Sequence, residues 1–155
     1  MSKRFGKSCF IIAILLVLFF VVTILYGLIM MAKGPKVFEN VSINECPYPV
    51  ANEATDISYV TQPPFYPSYY VEFTIKEKDF RSWVNTLDMP LSLKEITNPV
   101  QIATYRQYLD SDAQSSHTII DGLSGSYYDP DKPDNGKAFY YDRDLKRAYV
   151  ESHAR

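Results

Sequence analysis

From Cys9 to Ala32 the chain is apolar without a single charge, and Lys3, Arg4 and Lys7 precede the run. As a helix at ~1.5 Å per residue it would be about 36 Å long, against a hydrocarbon core of about 30 Å. A transmembrane signal-anchor helix over 9–32 is therefore predicted, behind a basic segment of 1–8. A cleaved signal peptide has an apolar core of only ~7–15 residues and a small-x-small exit. Met30 spoils that exit, so the mature chain is expected to keep the run. The basic cluster predicts a cytoplasmic N-terminus and a domain outside the cytoplasm.

Beyond the run the pattern changes twice. Val71, Phe73 and Ile75 alternate with Glu72, Thr74 and Lys76, the period of a strand with one buried face. Phe80, Trp83, Val84 and Leu87 then recur at helical spacing, with Glu77 and Asp79 at the start and Pro90 behind. Such a stripe predicts one helix with an apolar face. Ser92 and Glu95 match a capping box, and Val100, Ile102 and Thr104 alternate with Gln101, Ala103 and Tyr105. These signals predict a helical turn at 93–97 and a strand from Val100 to about Tyr108.

The last forty residues read as strands. Thr118-Ile119-Ile120 and Ser126-Tyr127-Tyr128 lead to a turn-rich loop, Asp129–Gly136, whose Asn135-Gly136 is the expected reversal. Ala138–Tyr141 and Arg147–Val150 then flank Asp142–Lys146 as the arms of a hairpin. Its pattern, Tyr141, Asp142 and Arg147, resembles the hairpins of tyrosine-aspartate repeat proteins; a single copy implies shared turn chemistry.

Composition sharpens the organisation. Six of the ten prolines lie between Lys33 and Ser68, favouring extended backbone, so 33–67 is expected as a semi-rigid stalk partly packed on a domain of 68–155. The expected class is α+β, with one N-terminal transmembrane helix and a small extracytoplasmic domain of mainly antiparallel sheet and one or two helices. Of 16 Lys and Arg, five lie in 1–36; the remaining 11 face all 18 Asp and Glu, a net of −7 from Val37 onward. An acidic domain has no electrostatic attraction for nucleic acid. Expected partners are the membrane, through 9–32, and a protein or envelope component.

Candidate chemistry is sparse. Cys46 is the one thiol beyond the apolar run, so the domain has no internal disulfide. Asn40-Val41-Ser42 matches a glycosylation acceptor, which matters only in a eukaryotic secretory host. Asp129–Gly136 has the oxygen-rich composition calcium favours, but Pro133 and Asp134 break EF-hand spacing. His117 and His153 are the only histidines. On a strand His117 and Asp121 would stand about 13 Å apart and share no proton. Ser115, Ser116 and Cys46 lie in no nucleophile signature, and the pairs Asp110/Asp112 and Asp142/Asp144 suit ordinary turns. No catalytic, cofactor-binding or metal-ligating residue is assigned.

Twelve of the 13 tyrosines follow the apolar run. Tyr127, Tyr128, Tyr140, Tyr141 and Tyr149 are the candidate binding face, because Tyr joins contact area to a polar tip. The expected function is a non-enzymatic protein-interaction or envelope-associated module; the alternative is a membrane-tethered hydrolase acting on cell-envelope material.

Overall fold

The computed structural model describes residues 3–32, 34–61, 69–105, 116–130 and 132–153, with side chains throughout apart from 3–11, 13, 30–32, 132–134 and 153. The chain divides into two compact units, Met1–Gly34 and Pro35–Arg155.

The first unit is one helix, α1 (Lys3–Ala32). Its described apolar side chains are exposed all round, Phe19 and Phe20 to about 70%, and the Thr23 hydroxyl donates to the Phe19 carbonyl at 2.8 Å. Among the described residues no helix is long and apolar enough to cross a membrane.

The second unit is a small α+β domain with a mainly antiparallel sheet. Its strands are β1 (Lys36–Val41), β2 (Thr55–Thr61), β3 (Tyr69–Thr74), β4 (Lys94–Glu95), β5 (Val100–Ala103), β6 (Ser116–Ile119), β7 (Gly122–Asp129), β8 (Lys132–Asp142) and β9 (Arg147–His153); α2 is Glu77–Thr86. Seven strands form one sheet in the order β1-β2-β3-β9-β8-β7-β4, and β5 pairs with β6 separately.

The predicted alternation in β3 and stripe in α2 meet on one face of this sheet. Phe80, Trp83 and Val84 are buried together with Phe73, Phe139 and Tyr141. Trp83 stands edge-on to Phe73 at 5.5 Å and to Phe139 at 5.9 Å between ring centroids, an arrangement that aromatic quadrupoles favour. Leu87 packs on this core from just beyond the helix end.

Three local expectations are corrected. The stretch 93–97 is extended: Lys94–Glu95 pairs with β7, and the Ile96 amide donates to the Gly122 carbonyl at 2.9 Å. Open ladder groups on β7 outbid the capping signal, and Glu95 binds Arg81 and Arg143 instead. Of the strand expected from Val100 to Tyr108, Val100–Ala103 forms and 106–108 lie outside the described residues. The expected loop 129–136 is mostly strand, since Tyr128 pairs with Gly136 and Asp129 with Lys132. Gly136 also pairs with His153 and does not have positive φ. Asn135-Gly136 is therefore not the reversal. Within the expected stalk, residues 35–61 belong to the compact unit. β1 and β2 extend the sheet, and Cys46, Tyr48 and Val50 pack on its core; residues 62–68 lie outside the described ones.

The β8–β9 hairpin forms as expected. Asp142 pairs with Arg147, Asp142 Oδ1 accepts the amides of Asp144 at 2.8 Å and Leu145 at 3.0 Å, and Lys146 closes the turn at φ 52.

An ionic cluster ties α2 to this hairpin. Arg143 reaches Glu77 at 2.8 Å, Glu95 at 2.8 Å and Asp121 at 2.6 Å, and Arg81 reaches Glu77 at 2.8 Å. The Arg143 hydrogen bond, supported by Arg81 against a desolvation cost, pushes the Glu77 carboxyl from 4.5 down to about 2. A depressed carboxylate stabilises the fold above its unfolded pKa and loses that contribution as pH falls through its folded one. The melting temperature is thus expected to drop between about pH 4.5 and 2, and Glu77→Gln to flatten that part of the profile. An unchanged profile in the variant would show that the cluster is not coupled to folding. The partial exposure of these side chains keeps the effect small.

Candidate functional site

Strand register divides the sheet's side chains between two faces, because residues paired across a ladder project to the same side. Tyr141 and Leu123 share the α2 side. Tyr149, Glu72 and Ser58 share the other, as do Arg147 and Thr74. This second face is unusually polar for a sheet interior. Part of it is covered by the β5–β6 pair, whose Ile102 and Ile119 pack with Tyr149 and Tyr140. Beside that cover lies a cleft of about 670 Å³, whose lining includes Glu39, Asp56, Glu72, Tyr105, His117 and Arg147.

Two irregularities shape its wall. β1 shifts register between Phe38 and Val41, and β2 between Thr55 and Ser58; Asn40 and Asp56 sit at these shifts, each at φ 52. Asn and Asp enter the left-handed region more readily than most residues, and a bulge re-aims the side chain that follows from it. Asp56 on β2 thereby meets Arg147 on β9, beyond the intervening β3.

Arg147 is fully engaged. Nε donates to Glu72 at 2.8 Å and Nη2 meets Glu72 at 2.7 Å; Nη1 bonds Asp56 Oδ2 and, at 3.3 Å, Thr74 Oγ1; Nη2 also reaches the Asp56 carbonyl at 3.3 Å. These five contacts match the five N–H donors of a guanidinium. Burial opposes its charge, but Glu72 and Asp56 outweigh that cost and hold its pKa above the ordinary value. Across the cleft, the Tyr105 hydroxyl donates to Glu39 Oε1 at 2.7 Å.

His117 supplies a feature that sequence spacing did not reveal. Its Nε2 lies 2.6 Å from Asp142 Oδ2, while its ring stacks on Tyr149 with centroids 5.8 Å apart. Asp142 is almost wholly buried. Its other oxygen accepts the two turn amides, and Oδ2 holds the imidazole in place through Nε2. Asp121, the neighbour considered in sequence, binds Arg143. The partners His117 and Asp142 are 25 residues apart, a distance no local motif encodes.

An oriented imidazole in a cleft is compatible with proton transfer. No hydrogen bond joins His117 to a hydroxyl among the described residues. Ser116 Oγ accepts from Gln101 at 2.8 Å, and the N–H groups of Arg147 are committed to Glu72, Asp56 and Thr74. Neither an activated nucleophile nor an uncommitted guanidinium for a developing oxyanion is assembled from these groups.

The five tyrosines of the candidate face do not make one surface. Tyr141 lies in the core, with its hydroxyl donating to the Ile75 carbonyl at 3.0 Å. Tyr127 shares its side of the sheet, whereas Tyr128, Tyr140 and Tyr149 project from the opposite side. Tyr149 is buried under His117 and Tyr128 is two-thirds exposed. Adjacent tyrosines necessarily separate because strand side chains alternate. Cys46 is half-buried, and burial raises its thiol pKa. Ser115, Asp110, Asp112 and Asp131 lie outside the described residues; among the described ones no group of three or more His, Cys, Asp or Glu is placed to hold a metal.

No family model, no curated protein and no solved structure matches the chain.

Proposed function

We propose that this is a single-pass membrane protein, anchored through residues 9–32, whose α+β domain is held outside the cytoplasm as a non-enzymatic binding module for a protein or envelope component. The observation that carries the binding role is the polar cleft, concave and lined by charged groups held in fixed mutual orientation. Rigid, pre-paired groups recognise a ligand with little ordering cost. The anchor is supported by the charge-free run behind Lys3, Arg4 and Lys7, and by an α1 surface that presents apolar side chains on every side.

Protease added to intact cells is expected to remove the domain while leaving the first eight residues protected. Digestion only after lysis would reverse the topology. Recovery of the intact protein in the soluble fraction would overturn the anchor.

A further inference from the structure

The two ends of the seven-stranded sheet differ in chemistry. At the end where β1 begins, Lys36 pairs with Thr61, Thr61 with Tyr69, Tyr69 with Ser152, Ser152 with Lys137 and Lys137 with Tyr127. Register thus sets these residues in one row across six strands, about 24 Å wide at the ~4.8 Å spacing of strands. Tyr70 and Tyr128 flank the row. Tyr128 is 67% exposed, and Tyr69, Tyr70 and Tyr127 are half-buried. At the opposite end Asp142 pairs with Arg147 and Arg147 with Thr74, and there the ion pairs of Arg147 and Arg143 gather.

Tyrosine beside lysine is the composition of a membrane–water interface, where the ring sits at headgroup depth and the lysine stem lies along apolar surface with its ammonium in water. Covalent reach adds a second constraint. Lys36 follows Ala32 by four residues, so at most about 14 Å of chain separates the row from the end of α1. Asp129 follows Tyr128 at the end of β7 and offsets the lysines, so the rings, more than net charge, favour this surface.

We infer that the tyrosine-lysine end of the sheet docks on the membrane surface, its rings in the headgroup layer of a zwitterionic lipid, and leaves the ion-paired end in water. This inference rests on the anchoring of the chain through residues 9–32. The short tether selects lipid over a second copy of the chain, because it holds the row within reach of the bilayer at any protein concentration.

The test uses the full chain, labelled with nitrogen-15, in phosphatidylcholine nanodiscs with and without a nitroxide on the lipid headgroup. Amide broadening by the nitroxide is expected to be strongest at Lys36, Tyr69, Tyr128 and Lys137 and to fall along each strand; Thr74 lies about 17 Å from Tyr69 along β3. The gradient is expected to survive ~1 M salt, where charges are screened beyond about 3 Å. Tyr128→Ser removes an exposed ring without opening the core, and is expected to weaken the broadening at Tyr127 and Lys137 severalfold. Equal broadening at both strand ends, in chains that co-purify with nanodiscs, would overturn the docking and leave the anchor intact. Chains recovered free of nanodiscs would overturn the anchor and the docking together. Shift changes confined to the row on going from one to two copies per nanodisc, with no nitroxide gradient, would assign it to a second copy instead. Loss of the gradient in high salt, or an unchanged gradient in Tyr128→Ser, would overturn the role of the rings.

Discussion

Trp83→Ala is expected to cost about 3–5 kcal/mol, enough to unfold a domain of ordinary marginal stability. Trp83 is only 9% exposed and is ringed by Phe73, Phe80 and Phe139. No neighbour is free to fill the gap, because Phe80 already stacks on Tyr141 and Phe73 lies in the sheet. Denaturant unfolding followed by circular dichroism checks this, since the chain has a single tryptophan and the variant loses its fluorescent probe. Trp83→Phe should retain more of the stability. A loss below about 1 kcal/mol for the alanine variant would mean that the α2 face does not hold the domain together.

Gly122→Ala is expected to be nearly as damaging, at about 3 kcal/mol, the upper end for overpacking. A Cβ there would stand 1.9 Å from the Tyr141 carbonyl oxygen and 3.1 Å from Ile119 Cγ2. The first obstacle is backbone, so β7 and β8 must separate where Gly122 pairs with Asp142. The displacement would reach the cleft, because Asp142 also holds His117. The variant should therefore lose both stability and the His117 ring environment, read by melting temperature and by histidine NMR. Gly136→Ala provides the contrast. Its added carbon meets the Tyr128 ring at 2.9 Å, but that ring is exposed and can swing away. Equal losses at the two glycines would contradict this account.

The glycine contrast illustrates where sequence reasoning stops. Asn135-Gly136 carries a strong turn signal, yet lies inside β8 because β7 and β9 provide ladder partners on both sides. Asp121-Gly122 also carries a turn signal, but what makes Gly122 hard to replace is the close approach of the distant Tyr141 backbone. The same limit applies to the stalk. Prolines mark extended backbone locally, but whether that backbone stays apart or joins a sheet depends on edges far along the chain. β2 found such an edge in β3, which itself pairs with the distant β9, and β1 found one in β2.

The sequence by itself determined the features governed by neighbours a few residues away: the long apolar helix, the alternation in β3, the apolar stripe of α2, and the β8–β9 turn closed by Asp142. Each follows from helix period, strand period or a side chain capping nearby amides. Tertiary structure alone decided strand order, the pairing of β4 with β7, the division of the tyrosines between two faces, and the cleft. Arg147 meets Asp56 from 91 residues away, and Tyr105 meets Glu39 from 66. Contacts of such separation depend on which strands become neighbours, and that choice is made by burial and backbone pairing across the whole sheet.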